Sequence, residues 1–113
     1  MAVNSRKIYL GRIPLVDKSH PQLQEILVTF QTFNPVSIDT RNLRRQFIFV
    51  YFDNEYTAQQ AIEEIHLLMQ EWAWQDHTDP FSMLLCQLAF DRNVLDFDPT
   101  KTPAAIQRGM IKA

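Results

Sequence analysis

The octamer Arg45 to Phe52, RQFIFVYF, alternates with a period of two. Phe47, Phe49 and Tyr51 therefore fall on one side of an extended strand, and Ile48, Val50 and Phe52 on the other. Both faces are apolar, yet only one can be turned to the core. A strand that is buried on one side ordinarily shows polar residues to water, so an outward row of rings predicts a partner with a flat π surface. A nucleobase is such a partner.

Around that strand the chain divides into alternating elements. Lys7 to Ile13, KIYLGRI, has strand character, with Ile8, Leu10 and Arg12 on one parity and Tyr9, Gly11 and Ile13 on the other; Pro14 ends it. Ser19 offers a helix N-cap with Gln22 three residues on, and Pro21 fits the first turn, where its missing N–H costs nothing. Leu23, Ile26, Leu27 and Phe30 recur at i, i+3, i+4 and i+7, and the helix is expected to stop near Phe33, before Asn34 and Pro35. Val36 to Thr40 reads as a second strand, Arg41 to Arg44 as a turn, and Gln46 to Phe52 as the third strand of a hairpin. Asp53 or Asn54 can cap a second helix, whose stripe of Ala58, Ala61, Ile62, Ile65, Met69 and Trp72 holds a helical period to about Trp74. After the turn-rich Gln75 to Pro80, the apolar run Met83 to Phe90 suits a fourth strand.

The order β-α-β-β-α-β predicts an α+β, ferredoxin-like sandwich: a four-stranded antiparallel sheet with two helices on one face and the other face open. Residues 1–92 form the domain. Residues 93–113 are a polar, proline-interrupted tail or lid, with room for a short helix around Ala104 to Ile111.

The 113 residues, 46% of them apolar, suit one domain with a small core. No apolar run approaches the roughly 18 to 20 residues that cross a bilayer, and the opening MAVNSRK lacks the apolar stretch of a secretion signal. One cysteine, Cys86, allows no internal disulfide. A soluble intracellular protein, of nucleus or cytoplasm and without membrane association, is expected. The net charge of −2 is unevenly spread: residues 1–52 carry seven basic and three acidic side chains, residues 53–113 four and ten. Arg6, Lys7, Arg12, Arg44 and Arg45 flank or lie within the two aromatic strands, so the field near the rings can be positive although the chain is acidic.

These residues resemble the RNA-recognition motif family. Its octamer pattern is met at Arg45, Phe47, Phe49, Val50 and Phe52, with Gln46 and Ile48 in place of its two small residues. Its hexamer looks like Ile8, Tyr9, Leu10, Gly11, Arg12 and Ile13, with Arg12 where the family has Asn. The A-x-x-A-I signature of its second helix is similar to Ala58, Ala61 and Ile62. The similarity spans about Lys7 to Arg92. It implies that hexamer and octamer occupy adjacent central strands, which brings Tyr9, Phe47 and Phe49 together as stacking platforms. Arg45, Arg12 and Arg44 would then contact phosphates or bases, and Gln87 and Arg92 base edges. The bulkier residues at Gln46 and Ile48, and a helix running on into Trp72, Ala73 and Trp74, depart from the family pattern.

Other features have plainer expectations. Tyr9, Phe47 and Phe49 can alternatively be covered by the tail, where Val94, Leu95 and Phe97 are available. Trp72 and Trp74 read as local core and rim. His20, His66 and His77 are scattered and lack metal-ligand spacing; Cys86 has no marked partner base; adjacent Glu63 and Glu64 suit a solvated face. Acylphosphatases share the strand order, but Gly11 to Pro14 lacks a glycine-rich anion loop. The chain is expected to bind single-stranded RNA without catalysis, metal or cofactor. The alternative is a protein-interaction module of the same fold, binding a protein partner through its helical face or the segment Trp72 to Trp74.

Overall fold

A computed structural model describes residues 2–91 of the chain. The tail 93–113 and its short helix, like Arg92, lie outside the described residues. The fold is α+β: β1 (Ala2–Gly11), α1 (Pro21–Gln31), β2 (Ser37–Asp39), β3 (Phe47–Tyr51), α2 (Glu55–Gln75) and β4 (Leu85–Asp91), with 3-10 turns at Leu43–Arg45 and Pro80–Met83. The strands form one four-stranded antiparallel sheet in the order β2-β3-β1-β4, an arrangement compatible with a ferredoxin-like plan.

The apolar alternation assigns the two faces. Ile8 and Leu10 of β1, Ile48 and Val50 of β3 and Cys86 of β4 are buried in one cluster with Leu23, Ile26, Leu27 and Phe30 of α1 and Ala58, Ala61, Ile62 and Ile65 of α2. Both helices therefore cover the same side of the sheet. Fully burying each of these larger aliphatic side chains contributes roughly 1.5–3 kcal/mol against conformational entropy. A smaller cluster extends the core: Trp72 packs edge-to-face on Phe81 at 5.9 Å, and the His20 ring stacks on the same phenyl at 5.0 Å. Gln22 Nε2 donates to Asp79 Oδ2 at 2.7 Å and ties the start of α1 to that turn. No helix among the described residues is long and apolar enough to cross a membrane.

Several expectations need correction. The first strand starts at Ala2, five residues before Lys7, because Ser5 to Lys7 form a bulge with no opposite number on β4. The bulge breaks the alternation on which the shorter strand was read. The strand ends at Gly11, since Arg12 takes a left-handed backbone, φ 61°. That reversal also moves Ile13 off the parity of Tyr9 and into the core, where it is fully buried. The cap of α1 is His20, whose Nδ1 accepts from the Gln22 N–H at 3.2 Å, and not Ser19. The helix stops at Gln31, two residues before Phe33. Gln46 is likewise not in the strand: at φ 70° it ends the turn Leu43–Arg45. Asn54 caps α2 by accepting from the Thr57 N–H at 2.8 Å, and the helix runs through Trp74 to Gln75.

The two tryptophans differ sharply: Trp72 is 7% exposed and Trp74 is 90% exposed. Phe30→Ala, which removes the largest fully buried side chain, is expected to lower unfolding free energy by about 3–5 kcal/mol. Trp74→Ala is expected to change it by no more than about 0.5 kcal/mol. Urea unfolding followed by circular dichroism checks both values.

Candidate functional site

The face without helices is built by the central pair β1 and β3. Their register pairs Lys7 with Tyr51, Tyr9 with Phe49 and Gly11 with Phe47. The flanking strands extend these pairs: β2 sets Ser37 beside Tyr51 and Asp39 beside Phe49, and β4 sets Gln87 beside Tyr9 and Leu85 beside Gly11. Directly paired residues share a face. The open side thus carries three rows: Ser37, Tyr51, Lys7; then Asp39, Phe49, Tyr9, Gln87; then Phe47, Gly11, Leu85.

Four rings lie contiguous on it. Centroids are 5.6 Å apart for Tyr9 and Phe47, 5.9 Å for Tyr9 and Phe49, 5.4 Å for Phe47 and Phe49, and 6.5 Å for Phe49 and Tyr51. Their planes are inclined by 30° to 69°, so the rings are tilted against one another and not coplanar. Each ring is half-buried, part of its surface lying against its neighbours. Gly11 makes this packing possible, since a Cβ placed there would collide with the Tyr9 ring.

The sequence-derived site residues divide into groups. Tyr9, Phe47 and Phe49 are brought together, and Gln87 is exposed beside Tyr9. Arg12, Arg44 and Arg45 are exposed at the Phe47 end of the sheet, in the connections that precede and follow the strands. Two hydrogen bonds hold these connections together: the Ile13 N–H donates to the Gln46 carbonyl at 3.0 Å, and Gln46 Nε2 donates to the Ile13 carbonyl at 3.0 Å. The left-handed Gln46 costs roughly 1 kcal/mol, which its side-chain bond offsets. Arg92 lies outside the described residues.

Two further charged groups join the site. Lys7 Nζ sits 4.2 Å from the Phe49 centroid and 5.4 Å from that of Tyr51, a cation–π position at the centre of the face. Its parity with Tyr9 follows from the strand read at Lys7 to Ile13, but its place over the Phe49 ring depends on the β1–β3 register. Asp39 is the other. Arg41 donates to its Oδ1 from the backbone N–H at 3.1 Å and from Nε at 2.9 Å, and to its Oδ2 from Nη2 at 2.8 Å. These bonds hold the carboxyl at about 2, the Arg41 side chain contributing most and the Arg41 backbone N–H next, with Lys7 adding a smaller attraction. Nothing in composition or periodicity marks Asp39; its place follows from the β2–β3 register.

The remaining candidates have structural roles. Cys86 is buried, and desolvation pushes its thiol up to about 12, so it is protonated at neutral pH. His66 Nε2 donates to the Cys86 carbonyl at 3.1 Å, tying α2 to the outer edge of β4. No group of three His, Cys, Asp or Glu side chains suited to a metal occurs among the described residues. No family model, curated protein or solved structure matches the chain.

Because the folded-state value of Asp39 is depressed, its contribution is complete above about pH 4 and is lost as pH falls toward about 2. Asp39→Asn is therefore expected to lose less stability over that window than the wild type, measured as the shift of the urea midpoint. Gly11→Ala is expected to displace the Tyr9 ring while the fold persists, seen as loss of Tyr9 to Phe47 ring contacts in nuclear Overhauser spectra.

Proposed function

We propose that this chain is an RRM-like domain of ferredoxin-like plan that binds single-stranded RNA through its open sheet face, without a catalytic step. The contiguous cluster of Tyr9, Phe47 and Phe49 on paired positions of the two central strands carries this reading. A core needs apolar side chains on one face of a sheet only, and here the helices already cover the other. Bases stacking on the rings gain about 1–3 kcal/mol each in single-strand binders, and the interaction tolerates any base. Small rotations of the tilted rings would bring them flat against successive bases.

Cations stand where a backbone would run. Lys7 lies among the rings, and Arg12, Arg44 and Arg45 are exposed beyond Phe47. An arginine there can grip a phosphate through two parallel N–H groups. Each phosphate contact adds about −0.7 to the slope of log affinity against log salt for single strands.

A second reading has its own observation. Trp74 is 90% exposed and borders a shallow hollow with Gln70 and Ala73 on the outer side of α2, which suits a protein-interaction module. Trp72 is buried and unavailable for such contact, so that module would rest on Trp74.

Changing Phe47→Ala together with Phe49→Ala is expected to abolish binding to a mixed single-stranded RNA pool while circular dichroism stays that of the wild type. Unaltered affinity would remove the sheet platform. Under the second reading, the wild type instead shows no RNA binding at modest salt, and Trp74→Ala loses a co-purifying protein.

A further inference from the structure

Asp39 occupies an unusual place for an acid in an RNA-binding face. It stands in the same row as Phe49 and Tyr9, on the edge strand, and borders a shallow hollow formed with Ser37, Ile38, Thr40, Arg41 and Tyr51. A carboxylate there repels phosphate, so if it serves a ligand, it serves a group that donates hydrogen bonds.

The Arg41 contact shows which geometry it accepts. Nε and Nη2 of one guanidinium donate in parallel to the two oxygens, at 2.9 and 2.8 Å. Guanine carries the same pair of donors, since its N1–H and N2–H belong to a guanidine unit within the base. No other RNA base does: adenine and cytosine each set one amino donor beside a ring-nitrogen acceptor, and uracil flanks one N–H with two carbonyls. Those acceptors would face carboxylate lone pairs. Arg41 can be replaced, for its side chain is 86% exposed, while that of Asp39, at the end of β2, is 14% exposed. The base would bring a parallel pair of donors to the same two oxygens, so the bonds given up by Arg41 are matched in number and geometry by those of the ligand.

We propose that Asp39 reads the Watson–Crick edge of a guanine stacked beside Phe49 and Tyr51, the base taking the place of the Arg41 fork and releasing that guanidinium toward the backbone phosphates. This rests on the RNA-binding reading and adds the base it selects. Lys7, Arg41 and Tyr51 are the titratable groups that face Asp39.

Four uridine-rich RNA octamers that differ at one central position, holding guanosine, inosine, adenosine or cytidine, test this by fluorescence anisotropy with the full chain. Guanosine is expected to bind about tenfold or more tightly than the others. Inosine, which lacks only the N2 amino group, should lose most of that advantage. Asp39→Asn presents one acceptor and one donor, so it is expected to erase the guanosine preference and favour adenosine or cytidine. Equal binding of all four octamers by the wild type overturns the guanine assignment and leaves the RNA platform standing. An Asp39→Asn loss that is uniform across the four also overturns it, because it marks a merely structural role. Absence of binding to every octamer overturns both.

Discussion

The pairing of β1 with β3 governs the rest of the molecule. Five consecutive residue pairs, from Lys7 with Tyr51 to Gly11 with Phe47, place the aliphatic side chains of both strands on one side and the rings on the other. A slip of one residue would exchange the two sets, exposing Ile48 and Val50 and pressing three rings into a space filled by α1 and α2. The register is thus held by the helices through the core. The arrangement of the aromatic face is a consequence of packing on the opposite face.

That coupling explains which parts were legible in the sequence. Helix α2 is announced by a stripe of apolar residues nearly four turns long and an Asn54 cap, and β3 by unbroken alternation; in both, local preference and tertiary burial agree. Phe47 and Phe49 could be placed on one face from parity alone, whereas setting Tyr9 beside them rested on the strand adjacency that the family resemblance implied. The failures cluster where the backbone leaves its regular path. The bulge at Ser5 to Lys7 hides the half of β1 that precedes Lys7. The left-handed residues Arg12 and Gln46 interrupt the period of two, so that Ile13 enters the core and both strands are shorter at that end than their apolar runs suggest. Neither is glycine, and Gln46 is held by two hydrogen bonds to Ile13, 33 residues away, which no local window contains.

The capping of α1 by His20 has a similar origin. Serine at position 19 is the better cap by local preference. Histidine takes the role because its ring is also fixed from the far side, stacked on Phe81, which in turn packs on Trp72. A tertiary stack thereby selects the helix start. The same stack buries Trp72 and leaves Trp74, two residues on, in solvent, so a single local arrangement decides which tryptophan stabilises the fold.

Charge is organised by the same layering. The chain is acidic as a whole, and four of its acids, Glu55, Glu63, Glu64 and Glu71, lie along α2, a helix without lysine or arginine. On the open face Lys7 has no salt bridge to a carboxylate among the described residues, Asp39 is paired with Arg41, and Arg12, Arg44 and Arg45 stand beyond the rings. At physiological salt the Debye length is about 8 Å, shorter than the thickness of a sheet and a helix layer, whose centres alone are separated by about 10 Å. The helical carboxylates are therefore screened from the rings, and a net charge of −2 is no obstacle to a locally cationic surface. Well within one screening length of Phe49 stands the ammonium of Lys7, 4.2 Å from the ring centroid.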